Sequence, residues 1–255
     1  KYPVFLNSLA TILKIKKAER KKDEFISIAS HELKTPLTSV KGYVQLLARS
    51  IDKGDIPTVK KHLIKAQVQL DKLNDLIAEL LDISKIESGK LEFNKKYFEL
   101  DQMLDGVLEV IHQANPEFKI VINGAFPEQI YADEMRIEQV IVNFLTNAIK
   151  YSPGTNEIQI NVHVNDGNLY LGVRDFGIGI VPELQQTVFE KFYRVEETAI
   201  HFQGLGIGLY ISAEIISRHG GQIGVKSKLG EGSEFYFTLP INVISEADKI
   251  KESYE

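Results

Sequence analysis

Apolar residues recur every three or four positions before residue 90, and every second position in several stretches after it. Phe25, Ala29, Leu33, Leu37, Val40, Val44 and Leu47 keep the helical period. They predict one long helix that ends where Gly54 and Pro57 interrupt "IDKGDIP" at 51–57. A second helical stripe passes through Leu63, Ala66, Leu70, Leu73, Ile77 and Leu80 and stops at Gly89 in "ESGK". Leu76, Leu81, Ile83 and Ile86 widen that stripe. Two helices cannot cover so broad an apolar face alone. A four-helix bundle built from two chains covers it, and so does a helical hairpin packed on the rest of the same chain.

Past residue 90 the period changes. "NEIQINVHV" alternates strictly, "NDGN" is a turn and "LYLGVRD" is a further strand. "GQIGVKS", "KLGEG" and "SEFYFTLP" repeat the strand-turn-strand pattern near the end. Helical patterns occupy 134–150 and 208–218, the second ending at Gly220. Strands joined by short turns and mixed with helices predict an α+β class: a helical hairpin followed by an α/β sandwich, with the boundary near 89–95.

Bulk composition narrows the functions. The 255 residues suffice for one or two domains, and 44% hydrophobic with 25% charged residues is ordinary for a folded domain. A net charge of −5 gives no basic footprint, so nucleic acid is not an expected partner. The absence of cysteine excludes disulfides and thiolate metal sites, and fits a cytoplasmic location. No run approaches the ~18 apolar residues of a membrane span. The opening "KYPVFLNSLATILKIKKAERKK" places its apolar part before its basic part, unlike a signal peptide, and reads as the continuation of an upstream segment.

One short stretch stands out chemically. "SHELKTPL" at 30–37 puts a histidine, an acid, a threonine and a proline on one helix. At roughly 100° per residue, and with Ala29 at zero, the apolar stripe averages roughly 25° and His31 falls at roughly 200°. His31 is therefore expected to face solvent, with Glu32 at its flank and Thr35 one turn later on nearly the same face. Pro36 withholds an N–H from the Glu32 carbonyl and crowds it, so the helix should bend or loosen there. A lone histidine on a polar face is ordinarily a plain surface residue. A zinc-protease reading fails because Thr35 stands where the second histidine of H-E-x-x-H belongs.

The second half carries candidate phosphate chemistry. In "EQVIVNFLTNAIKYS", Ile137, Ile141, Phe144, Leu145 and Ala148 form an apolar stripe, and Asn143, Asn147 and Lys150 lie together opposite. Amide oxygens suit a hard cation such as Mg²⁺, and lysine neutralises phosphate, but a solvated helix face looks the same. In "RDFGIGI" at 174–180, Asp175 is an acceptor at a strand end, placed to read the exocyclic amine of adenine. Gly177 and Gly179 permit positive φ and close approach to a ligand, as they would in any turn. "QGLGIGLYIS" sets Gly204, Gly206 and Gly208 before a helix, where backbone N–H groups favour an anion. Between the two clusters, a segment with Lys191 and Arg194 reads as a lid. The remaining histidines have plain readings: His163 on the polar side of a strand, His219 favouring a helix C-terminal dipole, His62 and His112 without visible partners, and His201 in the lid.

In their order along the chain, "FISIASHELKTPL", "NFLTNAIKYS", "DFGIGI", "FEKFYR" and "GLGIGL" resemble the motifs of bacterial sensor histidine kinases of two-component systems, over about residues 20 to 240. The resemblance implies a dimeric four-helix bundle that carries the phosphorylated histidine, followed by an ATP-binding α/β sandwich of the gyrase and Hsp90 type. On it, 1–22 is a linker helix, 23–90 the dimerisation and phosphotransfer domain, 91–243 the ATP-binding domain and 244–255 a tail. By position, His31 resembles the phosphorylated histidine, Glu32 its acid partner and Thr35 the residue that positions water against the phosphorylated regulator. Asn143 and Asn147 resemble the phosphate and metal asparagines, with Asn147 the direct Mg²⁺ ligand. Lys150 resembles a phosphate contact, Lys191 a cofactor-binding residue, Tyr151 a ring against the nucleotide and Asp175 the adenine-reading carboxylate. Gly177, Gly179, Gly204, Leu205, Gly206 and Gly208 resemble the nucleotide boxes, and Arg194 a cation approaching the γ-phosphate. The implied cofactors are ATP and Mg²⁺. The implied partners are a second copy of the chain and a response-regulator receiver domain. The expected setting is the cytoplasmic core of a protein whose upstream sensor or membrane anchor is not in this chain. An ATP-driven clamp needs the same pocket but no substrate histidine, and a silent dimeric scaffold needs no intact pocket.

Overall fold

The structure is a computed structural model that describes residues 2–193 and 205–241; Arg194, His201, Gly204 and the tail 244–255 lie outside these residues. The described residues group into two units. One holds the chain up to Lys90 together with Lys191–Ile207, and the other holds Leu91–Glu190 and the chain from Gly208.

In the first unit, α1 spans Tyr2–Asp52 and α2 spans Ile56–Glu87. The expected linker and first bundle helix are thus one continuous helix. That helix runs through Pro36, whose ring is buried. Around it the hydroxyls of Ser30, Thr35 and Ser39 donate to the carbonyls of Ile26, His31 and Thr35, one turn back in each case. Such back-bonds compete with the helix ladder, and the helix nonetheless continues through Pro36 as one element. The turn to α2 uses Gly54 at φ +70°. Asp55 caps α2 by accepting from the Thr58 N–H at 3.2 Å, and Pro57 occupies the first turn, where its missing N–H does no harm. Gly89 at φ +68° ends the helix. Ala29, Ala66, Leu76, Ile83 and Ile86 are buried, whereas Leu37, Val44, Leu63 and Val68 stay more than half exposed.

The second unit is a sandwich. β1 (Lys96–Glu99) pairs antiparallel with β3 (Gln129–Ala132). A mixed five-stranded sheet runs in the order β2 (Lys119–Asn123), β4 (Glu157–Asn165), β5 (Asn168–Asp175), β7 (Gly232–Pro240), β6 (Gln222–Lys228), with only the β2–β4 pair parallel. Helices α4 (Glu134–Lys150) and α5 (Gly208–Arg218) bury their apolar stripes against it, and α3 (Leu100–Ala114) packs on α4. Ile137, Ile141, Phe144 and Leu145 of α4 are fully buried and meet Ile158 and Ile160 of β4, Leu171 of β5 and Phe237 of β7 in one core. The Phe144 ring lies 5.8 Å from Phe235 and 6.3 Å from Phe237. Asp166 and Gly167 both take positive φ in the β4–β5 turn, as a two-residue hairpin of the right twist requires.

One histidine departs from its expected role. His219, just past α5 and expected only to favour the helix C-terminal dipole, is a buried neutral ring. Its Nδ1 lies 2.8 Å from the Ile215 carbonyl and donates to it, while Nε2 accepts from the Asp133 N–H at 3.0 Å. Asp133 in turn caps α4 through Arg136 N and accepts from Asn94 N at 2.7 Å. The ring therefore ties the end of α5 to the start of α4. Burial pushes its pKa below the usual histidine range; Lys95 adds to that, and the Ile215 carbonyl and Asp133 oppose it. Because the folded value lies below the unfolded one of ~6.5, this contribution to stability is complete above that pH and is lost as pH falls through the folded value. One proton gives at most about 1.4 kcal/mol per pH unit. Thermal melts between about pH 7.5 and 5 should show the chain losing stability below pH ~6.5, with a shallower slope in His219→Gln, whose amide oxygen can still accept from Asp133. Equal slopes in the two proteins would refute the assignment.

Candidate active site

His31 lies on the exposed face of α1, with a side chain 80% exposed, and Glu32 beside it is largely covered. The helical period alone produces this, since the stripe opposite is what α2 covers. Nδ1 of His31 is 4.0 Å from Glu32 Oε1, an ion-pair distance and not a hydrogen bond. Thr35 is exposed one turn on, and its hydroxyl donates to the His31 carbonyl at 3.0 Å. The only hydroxyl proton is thus committed to the backbone, and the lone pairs of Oγ1 remain to accept.

The second cluster forms on α4, at the end of β5 and at the start of α5. Asn143 and Asn147 are one turn apart, and Asn147 Nδ2 donates to Asn143 Oδ1 at 3.3 Å. Gly208 opens α5 against this pair: a Cβ on it would lie 2.5 Å from Asn143 Oδ1. Lys150 sits in the last turn, its ammonium 4.9 Å from the centre of the Tyr151 ring.

Asp175 is 3% exposed at the end of β5. Its Oδ1 accepts from Gly177 N at 2.8 Å and Ser233 N at 3.2 Å. Burial pushes the carboxyl above the usual aspartate range, and those two N–H groups pull the other way. The Ser152 hydroxyl is buried and completes no hydrogen bond among the described residues, yet lies near enough to favour the charged form of Asp175. An orphaned hydroxyl beside a buried carboxylate is a polar spot with hydrogen-bonding capacity to spare.

Close packing of the chain on itself also calls for the glycines. A Cβ on Gly177 would lie 1.9 Å from the Tyr151 carbonyl, and one on Gly179 would lie 2.0 Å from the Lys228 carbonyl. Their small size is demanded by the chain's own backbone. Gly179 has φ +70° and Gly206 φ +69°, whereas Gly177 and Gly208 are not in the left-handed region. Leu205 is buried. The ammonium of Lys191 bonds the Glu87 carboxylate of α2, and burial pushes its pKa down. Arg194 and Gly204 fall outside the described residues.

Sequence reasoning passed over Ser152, Ser233 and Ser212. Only Ser212 had left a signal, as a hydroxyl set among Ile211, Ile215 and Ile216. Among the described residues no group of acidic, histidine or cysteine side chains forms a metal site, and no helix is long and apolar enough to cross a membrane.

Comparison with known proteins agrees with this division. Residues 21–89 match the His Kinase A (phospho-acceptor) domain, and residues 132–243 match the histidine kinase-, DNA gyrase B- and HSP90-like ATPase. The chain is 31% identical over 238 residues to the sensor histidine kinase WalK of Bacillus subtilis, covering 91% of this chain and 39% of WalK. It is 32% identical over 225 residues to the sensor protein SrrB of Staphylococcus aureus, covering 87% of this chain and 38% of SrrB. The chain thus spans about two fifths of the length of these curated relatives. Among solved structures, the histidine kinase AdeS of Acinetobacter baumannii superposes with a TM-score of 0.59 at 27% identity, over 83% of this chain and 98% of that one. Full-length ShkA in complex with AMPPNP gives 0.62 at 27% identity, over 86% of this chain and 46% of ShkA.

Proposed function

The chain belongs to the sensor histidine kinases, carrying their phospho-acceptor and ATPase domains, and from that premise we propose that it phosphorylates His31 from ATP and passes the phosphoryl group to an aspartate of a response regulator. The observation that carries the reading is the exposed imidazole with Nδ1 turned to Glu32. The carboxylate stands 4.0 Å away, and closing that gap to hydrogen-bond distance would hold the proton on Nδ1 and leave the Nε2 lone pair free. Nε2 then attacks the γ-phosphorus in line; the N–P bond forms, the bond to the β–γ bridging oxygen breaks, ADP leaves, and Glu32 takes the Nδ1 proton. On this reading 1–22 is the linker helix, 23–90 the phosphotransfer domain, 91–243 the ATP-binding domain and 244–255 the tail.

Asp175 and Ser152 receive the adenine, Tyr151 lies against the nucleotide, and Lys150 meets its phosphates. AMPPNP in the related ShkA supports an adenine nucleotide here. Asn147 would hold Mg²⁺ through its amide oxygen, and the ion supplies neutralisation of phosphate charge. Incubation with γ-labelled ATP should leave acid-labile, alkali-stable label on the chain. ATP hydrolysis without any protein label would point to a clamp ATPase instead. The protein is read as a cytoplasmic core, with sensing carried upstream.

The exposed apolar residues Leu37, Val44, Leu63 and Val68 lie on both helices of the hairpin, and a second copy of the chain covers them in a four-helix bundle. Sedimentation at micromolar concentration should give a dimer; a folded monomer would remove this part of the reading.

Thr35 separates making the phosphohistidine from dephosphorylating the regulator. Its Oγ1 holds a water as acceptor, because its O–H donates to the His31 carbonyl. Thr35→Ala should keep autophosphorylation and transfer while lowering regulator dephosphorylation roughly tenfold or more. Alanine favours helix more than threonine, so folding does not confound the result. If all three rates fall in parallel, the hydroxyl merely softens the helix before Pro36.

A further inference from the structure

Ser212 is a hydroxyl inside an apolar stripe, 2% exposed between Ile211 and Ile215. Its Oγ lies 2.9 Å from the Gly208 carbonyl and 2.9 Å from Nδ2 of Asn143. A carbonyl only accepts, so the single hydroxyl proton goes to Gly208 and Ser212 is left as an acceptor. The atom of Asn143 that faces it must then donate. This fixes the Asn143 amide with its NH₂ toward Ser212 and its Oδ1 toward Asn147, whose Nδ2 donates to it at 3.3 Å. A planar amide carries nitrogen and oxygen on opposite sides of its carbon, so Asn147 turns its own Oδ1 away from Asn143. Gly208 leaves the room for this, since a Cβ there would collide with Asn143 Oδ1.

We propose that Ser212 is a positioning residue: acting through Asn143, it sets which face of the Asn147 amide is oxygen, and so sets the divalent-cation affinity of the nucleotide site. The inference rests on reading Asn147 as the Mg²⁺ ligand. Without Ser212 the Asn143 amide has no fixed orientation, and its flip lets Asn147 flip with it. The cation then meets an NH₂ group, which cannot ligate it, in part of the population.

The test is calorimetry of the whole chain with a non-hydrolysable ATP analogue, with and without Mg²⁺. The wild type should bind more tightly with Mg²⁺. Ser212→Ala should lose about three- to tenfold of that gain, the worth of one buried hydrogen bond, with metal-free affinity within about twofold of wild type. In an Asn143→Ala background, Ser212→Ala should change nothing further. Ser212→Thr and Ser212→Val have nearly the same shape and differ in the hydroxyl, so the threonine variant should keep the Mg²⁺ gain and the valine variant should lose it. A wild-type gain that Ser212→Ala or Ser212→Val retains in full overturns the proposal alone, as does an equal loss with and without Mg²⁺. No Mg²⁺ gain in the wild type overturns the reading of Asn147 and the proposal with it.

Discussion

In the His31→Gln variant no acid-labile phosphate is expected on the chain, while ATP affinity stays within a few fold of wild type. Glutamine offers a neutral amide in place of the imidazole lone pair, and an amide nitrogen does not attack phosphorus at a useful rate. The side chain is mostly in solvent, so its replacement leaves the packing of α1 untouched, and the melting temperature should not move. The candidate nucleotide contacts lie on α4, β5 and α5, elements of the other unit. Phosphate label on another histidine of this variant would move the phospho-acceptor elsewhere. Retained acid-labile label of wild-type size would end the assignment of His31.

Asp175→Asn should weaken ATP binding by ~1–3 kcal/mol, or roughly five- to 150-fold. Both backbone donors, Gly177 N and Ser233 N, fall on Oδ1. An asparagine keeps that oxygen in place and puts an NH₂ where the second carboxylate oxygen was. That donor then faces the exocyclic amine of adenine, which is also a donor. Guanine carries an acceptor at the corresponding position, so the preference for ATP over GTP should narrow or reverse. The fold should not suffer. Burial raises the carboxyl's pKa, which means the charged form is penalised in the folded chain at neutral pH, and an uncharged amide escapes that penalty. Calorimetry with ATP and GTP, beside a melting curve, checks both parts. Unchanged affinity and preference would reduce Asp175 to a turn residue.

The helices were legible wherever a long stripe had clear ends. Glu134–Lys150 and Gly208–Arg218 coincide with the periods in the sequence, because one apolar face against a sheet leaves an unambiguous period of 3.6. The short elements were not legible: β1 and β3 have four residues each, and α3 lay unmarked between them. Strands that short carry too few alternations to stand out, and their pairing joins residues far apart in the chain. His31 was readable as solvent-facing because its exposure follows from the helical period and needs no tertiary contact.

Hydrophobic period and motif order, then, determined by themselves the two-part plan, the exposed histidine beside a carboxylate and the family to which the chain belongs. Tertiary structure alone decided how the polar groups are partnered. His219 read only as favouring a helix C-terminal dipole, yet packing buries it and gives both its nitrogens backbone partners, which only the neutral ring can satisfy. Gly177 and Gly179 read as places of close backbone approach, and packing shows that the carbonyls of Tyr151 and Lys228 leave no space there for a Cβ. Ser212 and Asn143 stand 69 residues apart and meet only because α5 packs on α4. A side chain's neighbours along a helix follow from the period of that helix, whereas a hydrogen bond across the core depends on how two elements pack, and no local pattern encodes that distance.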